Sequence, residues 1–72
     1  MGEKYPILEP RELIRALESI GFNYKSRKGS HVKYTDGVHT VIIPMHDTIA
    51  RGTLRSILHQ AGIELEHLMN LL

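Results

Sequence analysis

The stretch Phe22-Asn23-Tyr24-Lys25-Ser26-Arg27-Lys28-Gly29-Ser30-His31-Val32-Lys33-Tyr34-Thr35-Asp36-Gly37-Val38-His39-Thr40-Val41-Ile42-Ile43-Pro44 decides the fold. Two runs that alternate apolar with polar residues, Phe22 to Ser26 and His31 to Thr35, and a mostly apolar third, Val38 to Pro44, are punctuated by Gly29 and by Asp36-Gly37. An Asp-Gly pair between such runs is a strong hairpin signal, because a tight two-residue turn needs positive φ, which Asp and Gly tolerate. Gly29 turns the first pair of runs in the same way. The reading is therefore three short strands in consecutive antiparallel pairing.

Outward from this core lie two helices. Upstream, Pro10 suits a first helical turn, where its missing N–H would have found no partner anyway. Leu13, Leu17 and Ile20, with Ala16 beside them, recur on one face of a helix from Arg11 to Ile20, which Gly21 caps. Downstream, Leu54, Ile57, Leu58 and Ala61 carry the same spacing in a helix that begins near Ile49 or Ala50 and stops at Gly62. Leu65, Leu68, Met69 and Leu72 form a last short apolar stripe, read as a small helix that lids the core. Residues 1–9 are an irregular extension of a single domain spanning 1–72. The fold class expected is α+β, with the helices on one face of a three-stranded antiparallel sheet.

Strand alternation then sorts side chains by face. Phe22, Tyr24, Val32 and Tyr34 are expected beneath the helices, with Tyr5, Tyr24 and Tyr34 treated as core rather than as stacking platforms. Asn23, Lys25, Arg27, His31, Lys33 and Thr35 then share the open face, provided that no bulge, for instance at Gly29, breaks the alternation. In the third strand Val41 and Ile43 alternate with Thr40 and Ile42, so neither face is clearly polar.

Composition narrows the chemistry. A 72-residue chain is one small domain. Without cysteine it has neither a disulfide framework nor a thiolate metal site. It carries no apolar run long enough to span a membrane and no signal-like start, which points to a cytoplasmic protein. The formal charge of +1 hides a segregation. Phe22 to Arg55 holds six Lys/Arg against Asp36 and Asp47, net +4, while the flanks hold three against six, net −3. A polyanion partner for the middle of the chain follows from this asymmetry.

Arg27-Lys28-Gly29-Ser30-His31 places a proton-transfer group directly behind two cations and a turn. A neutral imidazole gives or takes a proton near neutral pH, and the cations hold a phosphodiester against it. Lys25, Arg27, Lys28 and Lys33 are the candidate phosphate contacts, and Ser30 either orients the phosphate or satisfies its own turn backbone. Thr53 and Arg55 stand where the second helix begins, a place that favours anions, although Thr53 equally suits an ordinary cap. His46, two residues past Pro44, is a possible second proton-transfer group. His39, His59 and His67 are assigned no role. A zinc site at His39 and His46 lacks a third ligand at a suitable spacing.

The run from Arg11 to Ile63 resembles the HicA family of small toxins. The resemblance is carried by Leu17-Glu18 leading to Gly21-Phe22, by Lys28-Gly29-Ser30-His31, by Ile43-Pro44-Met45-His46 and by Gly52-Thr53-Leu54-Arg55-Ser56-Ile57-Leu58. It implies a double-stranded-RNA-binding-domain-like fold and an mRNA-cleaving ribonuclease, its catalytic histidine at His31; the reading adopted is a metal-independent enzyme with no cofactor. The resemblance also implies a HicB-type antitoxin as protein partner, beside mRNA or other single-stranded RNA as substrate. The alternatives are a non-catalytic RNA-binding module on the same fold, and a protein-interaction domain whose basic face serves an acidic partner.

Overall fold

The computed structural model describes residues 4–72. Of the extension expected over residues 1–9, residues 1–3 lie outside the described part. The element order is α1 (Pro10–Glu18), β1 (Asn23–Lys28), β2 (His31–Thr35), β3 (Thr40–Pro44), α2 (Arg51–Ala61) and α3 (Leu65–Leu71). The sheet is antiparallel in the order β1-β2-β3, as the turn signals require.

Each helix ends for a local reason. Pro10 opens α1, and Glu12 reaches back so that its Oε1 accepts the Glu9 N–H at 2.8 Å. Its regular part stops at Glu18, two residues short of the expected Ile20. One further turn then closes on Gly21, whose φ of +102° lets the Phe22 N–H reach back to the Leu17 carbonyl at 3.1 Å. α2 begins at Arg51, one or two residues later than expected, with Ala50 in the capping position. It ends on Gly62 at φ +74°, and there the His39 imidazole lies so close that a Cβ would sit 2.8 Å from its Nε2. His39, assigned no role from sequence, thus packs the β2–β3 turn onto the end of α2.

One cluster fills the centre. Leu13, Ala16 and Leu17 of α1 meet Phe22, Val32, Tyr34, Val41 and Ile43, while Leu54, Ile57, Leu58 and Ala61 of α2 and Leu65 and Leu68 of α3 close over them. The extension is not idle. The Ile49 N–H donates to the Leu8 carbonyl at 2.8 Å, and both side chains are buried in the same cluster. Tyr5 lies half-buried with the Arg51 guanidinium 5.3 Å above its ring.

The register corrects two expectations. Tyr24 pairs with Tyr34, but Ser26 pairs with Lys33, so Lys25 is an unpaired bulge residue. From Ser26 onward the alternation of β1 is inverted. Arg27, opposite Val32, therefore leaves the open face for the helix side, while Ser26 and Lys28 join His31 and Lys33 on the open one. Tyr24 is not core: it is 58 % exposed and meets Tyr34 edge to face at 5.9 Å, because β1 is the outer strand and α2 packs on β3 at the other edge. Gly29, at φ +60°, makes the two-residue turn between Lys28 and His31, as a type II′ connection requires.

The second hairpin is longer than a two-residue Asp-Gly turn. Its last pair is Thr35 with Thr40, so residues 36–39 form the connection and β3 starts at Thr40 rather than Val38. Asp36 Oδ1 accepts the His39 N–H at 2.6 Å and the Val38 N–H at 2.8 Å. These bonds, that to His39 foremost, lower the Asp36 pKa from 3.8 to about 2. The ionised form is the stabilised one, so the contribution is complete above the ordinary carboxylate value and fades as pH falls toward 2. Asp36→Ala should melt below the parent at about pH 6, and the gap should close on acidification to about pH 2. Thermal unfolding followed by circular dichroism across that range measures it; a gap independent of pH would show that the carboxylate charge contributes nothing.

Candidate active site

β2 and β3 build the site through their register. His31 stands opposite Pro44, so the residues just past Pro44 emerge beside His31. The Met45 N–H donates to the Ser30 carbonyl at 2.7 Å, tying the start of the β3–α2 connection to the β1–β2 turn. His46 follows at once, and its ring centroid lies 6.4 Å from that of His31 with the planes inclined at 63°. Fifteen residues apart in sequence, the two imidazoles share one corner of the open face, and both are exposed.

Two cavities meet at this corner. One, of about 710 Å³, is lined by Ser26, Lys28, Gly29, Ser30, His31, Lys33 and Ile42. The other, of about 730 Å³, lies toward α2 and is lined by His31, Ile42, Pro44, His46, Asp47, Thr48, Ala50, Gly52, Thr53, Ser56, Ile57 and Gln60. His31 and Ile42 belong to both. The first wall is cationic, and the second is neutral apart from Asp47 and the imidazoles. The contact between His39 Nδ1 and Asp36 Oδ2 at 3.2 Å is elsewhere, and among the described residues no carboxylate pairs with Lys28 or Lys33, so both are free to meet an anion. No group of three potential metal ligands occurs among the described residues.

Of the residues singled out in the sequence, His31, His46, Lys28, Ser30, Lys33 and Thr53 are brought together. Three are not. Arg27 lines a separate cavity with Glu9, Pro10, Arg11 and Met45, and its Nε donates to the Gly29 carbonyl at 2.8 Å, which braces the turn from the helix side. Arg55 lines another with Tyr5 and His59. Lys25 projects from the bulge and lines neither cavity at His31. Sequence reasoning missed Ile42, Ser56 and Gln60. A signal existed for the last two: Thr53, Ser56 and Gln60 form an i, i+3, i+7 polar stripe beside the apolar stripe of α2.

Fold and site together define a small α+β protein with a histidine pair at the rim of a cationic sheet face. The model of the family described as the HicA toxin of bacterial toxin–antitoxin matches residues 10–63, which is 54 of the 72 residues. The chain belongs to the HicA toxin family of bacterial toxin–antitoxin systems. No curated protein matches it. Among the described residues no helix is long and apolar enough to cross a membrane.

Proposed function

We propose that this toxin is an endoribonuclease that cuts single-stranded mRNA without a metal ion. The observation that carries this reading is the pair of exposed imidazoles, 6.4 Å apart, beside Lys28 and Lys33. His31 takes the proton from a ribose 2′-OH, the 2′-oxygen attacks the adjacent phosphorus, and the bond to the 5′-oxygen breaks. His46 gives its proton to that departing oxygen, leaving a 2′,3′-cyclic phosphate and a free 5′-hydroxyl. Lys28 and Lys33 hold the phosphate and offset the charge that builds on it. Arg27, Lys25 and Arg55, set apart from His31, are left with contacts to more distant phosphates at most.

The partner reading follows from the same surface. An antitoxin of the HicB type blocks this chemistry most directly by covering His31 and pairing Lys28 and Lys33 with carboxylates, which also speeds its association. The acidic flanks of the chain take no part in that contact.

An RNA with a single deoxynucleotide at the scissile position tests the mechanism. It should resist cutting, and excess EDTA should leave the rate on all-ribose RNA unchanged. Cutting at the deoxy position, or loss of activity in EDTA, would replace the 2′-OH with a metal-activated water as the nucleophile.

A further inference from the structure

We infer that the cavity between Ile42 and α2 is a nucleobase pocket, and that Gln60 selects the base bound there. This rests on reading the open face as an RNA surface. A strand laid across His31 has two places to go. The wall toward β1 carries Lys28 and Lys33 and suits phosphate. The wall toward α2 carries no lysine or arginine and includes the Asp47 carboxylate, which repels phosphate but accepts from base N–H groups. Its volume of about 730 Å³ falls in the range of small-ligand sites, and Ile42 and Pro44 supply apolar surface for a flat ring. Ile42, opposite Lys33, is 42 % exposed on the open face and forms the boundary between the two walls.

Gln60 gives this pocket its direction. β3 is the edge strand, and the Ile42 N–H at that edge donates to Gln60 Oε1 at 3.1 Å. The acceptor must be the oxygen, so the orientation of the carboxamide is settled by chemistry. Its Nε2 is then a fixed pair of donors, engaged by no hydrogen bond among the described residues, on a side chain that lines the cavity. A fixed donor pair selects a base edge that offers carbonyl or ring-nitrogen acceptors. A base presenting an amino group at the same place leaves donors facing donors and is rejected.

The conservative variant Gln60→Glu separates the two jobs of the side chain. It keeps an oxygen for the Ile42 N–H and replaces the donors with an acceptor. Binding of four five-nucleotide homopolymeric RNAs, one for each base and each carrying 2′-O-methyl riboses so that it survives, is to be measured by fluorescence anisotropy with His31 in place, because His31 is part of the cavity wall. Parent protein should rank the four, and Gln60→Glu should change the ratio between best and worst by roughly tenfold. Gln60→Met, which has neither donor nor acceptor, should flatten the ranking, with thermal unfolding as the control on the fold. A flat ranking in the parent overturns the inference. So does a loss in Gln60→Glu that is uniform over all four RNAs, because that is added negative charge alone. The outcome is separable from the ribonuclease reading: a shifted ranking in a protein whose His31 form never cuts RNA upholds the base pocket and removes the catalysis, whereas cutting with an unshifted ranking does the reverse.

Discussion

His31→Ala is expected to lower the rate of RNA cleavage by at least about 10²-fold, the lower end of what a positioned proton-transfer group supplies. The side chain is exposed on the open face and lies outside the core cluster, so its loss opens no cavity. Circular dichroism and the melting temperature should therefore stay close to the parent, and RNA affinity should persist through Lys28 and Lys33. Cleavage products on a denaturing gel give the rate. A folded His31→Ala protein that still cuts would move the chemistry to another group. If the parent protein binds RNA and does not cut it, the fold serves as a binding module only, and the histidine pair has another purpose.

Phe22→Ala should have the largest effect on stability. Phe22 is 1 % exposed, among the largest of the fully buried side chains, and it stands where α1 hands over to the sheet. Truncating a buried Phe to Ala costs roughly 3–5 kcal/mol, because lost transfer energy and an unfilled cavity add together. A 72-residue domain holds only roughly 4–11 kcal/mol in total. The urea midpoint of the variant is therefore expected to fall by at least about a quarter, with complete unfolding at the lower end of that stability range. Tyr24→Ala, two residues along but 58 % exposed, should cost less than about 1 kcal/mol. Equal losses from the two would mean that β1 draws its stability from the outer strand edge and not from the core.

The architecture was legible because several levels of the sequence agreed. Gly21, Gly29 and Gly62 sit at positive φ where each turn or helix end needed them, and the apolar spacings of both main helices fall on buried faces. What escaped was information that strand alternation does not contain. The bulge at Lys25 carries no Gly or Pro to announce it, and it alone moved Arg27 to the helix side. Leu8 lay in a segment without periodicity, and it is buried beside Ile49, a residue 41 positions away whose N–H donates to its carbonyl. The candidate site divided along the same line. Lys28, Ser30 and His31 are contiguous and were read together, whereas the closeness of His46 follows from the pairing of His31 with Pro44. Gln60 became visible only when its bond to Ile42 showed which end of its amide was free.

The unpaired Lys25 has an implication for how this surface changes over time. Lys25 is the one residue of β1 that the ladder skips, so deleting it would straighten the strand and still leave Ser26 opposite Lys33, Arg27 opposite Val32 and Lys28 opposite His31. Loss of the Lys25 codon would therefore leave the electrostatic relief around His31 in place, so that an antitoxin shaped to that face would still meet the same cations.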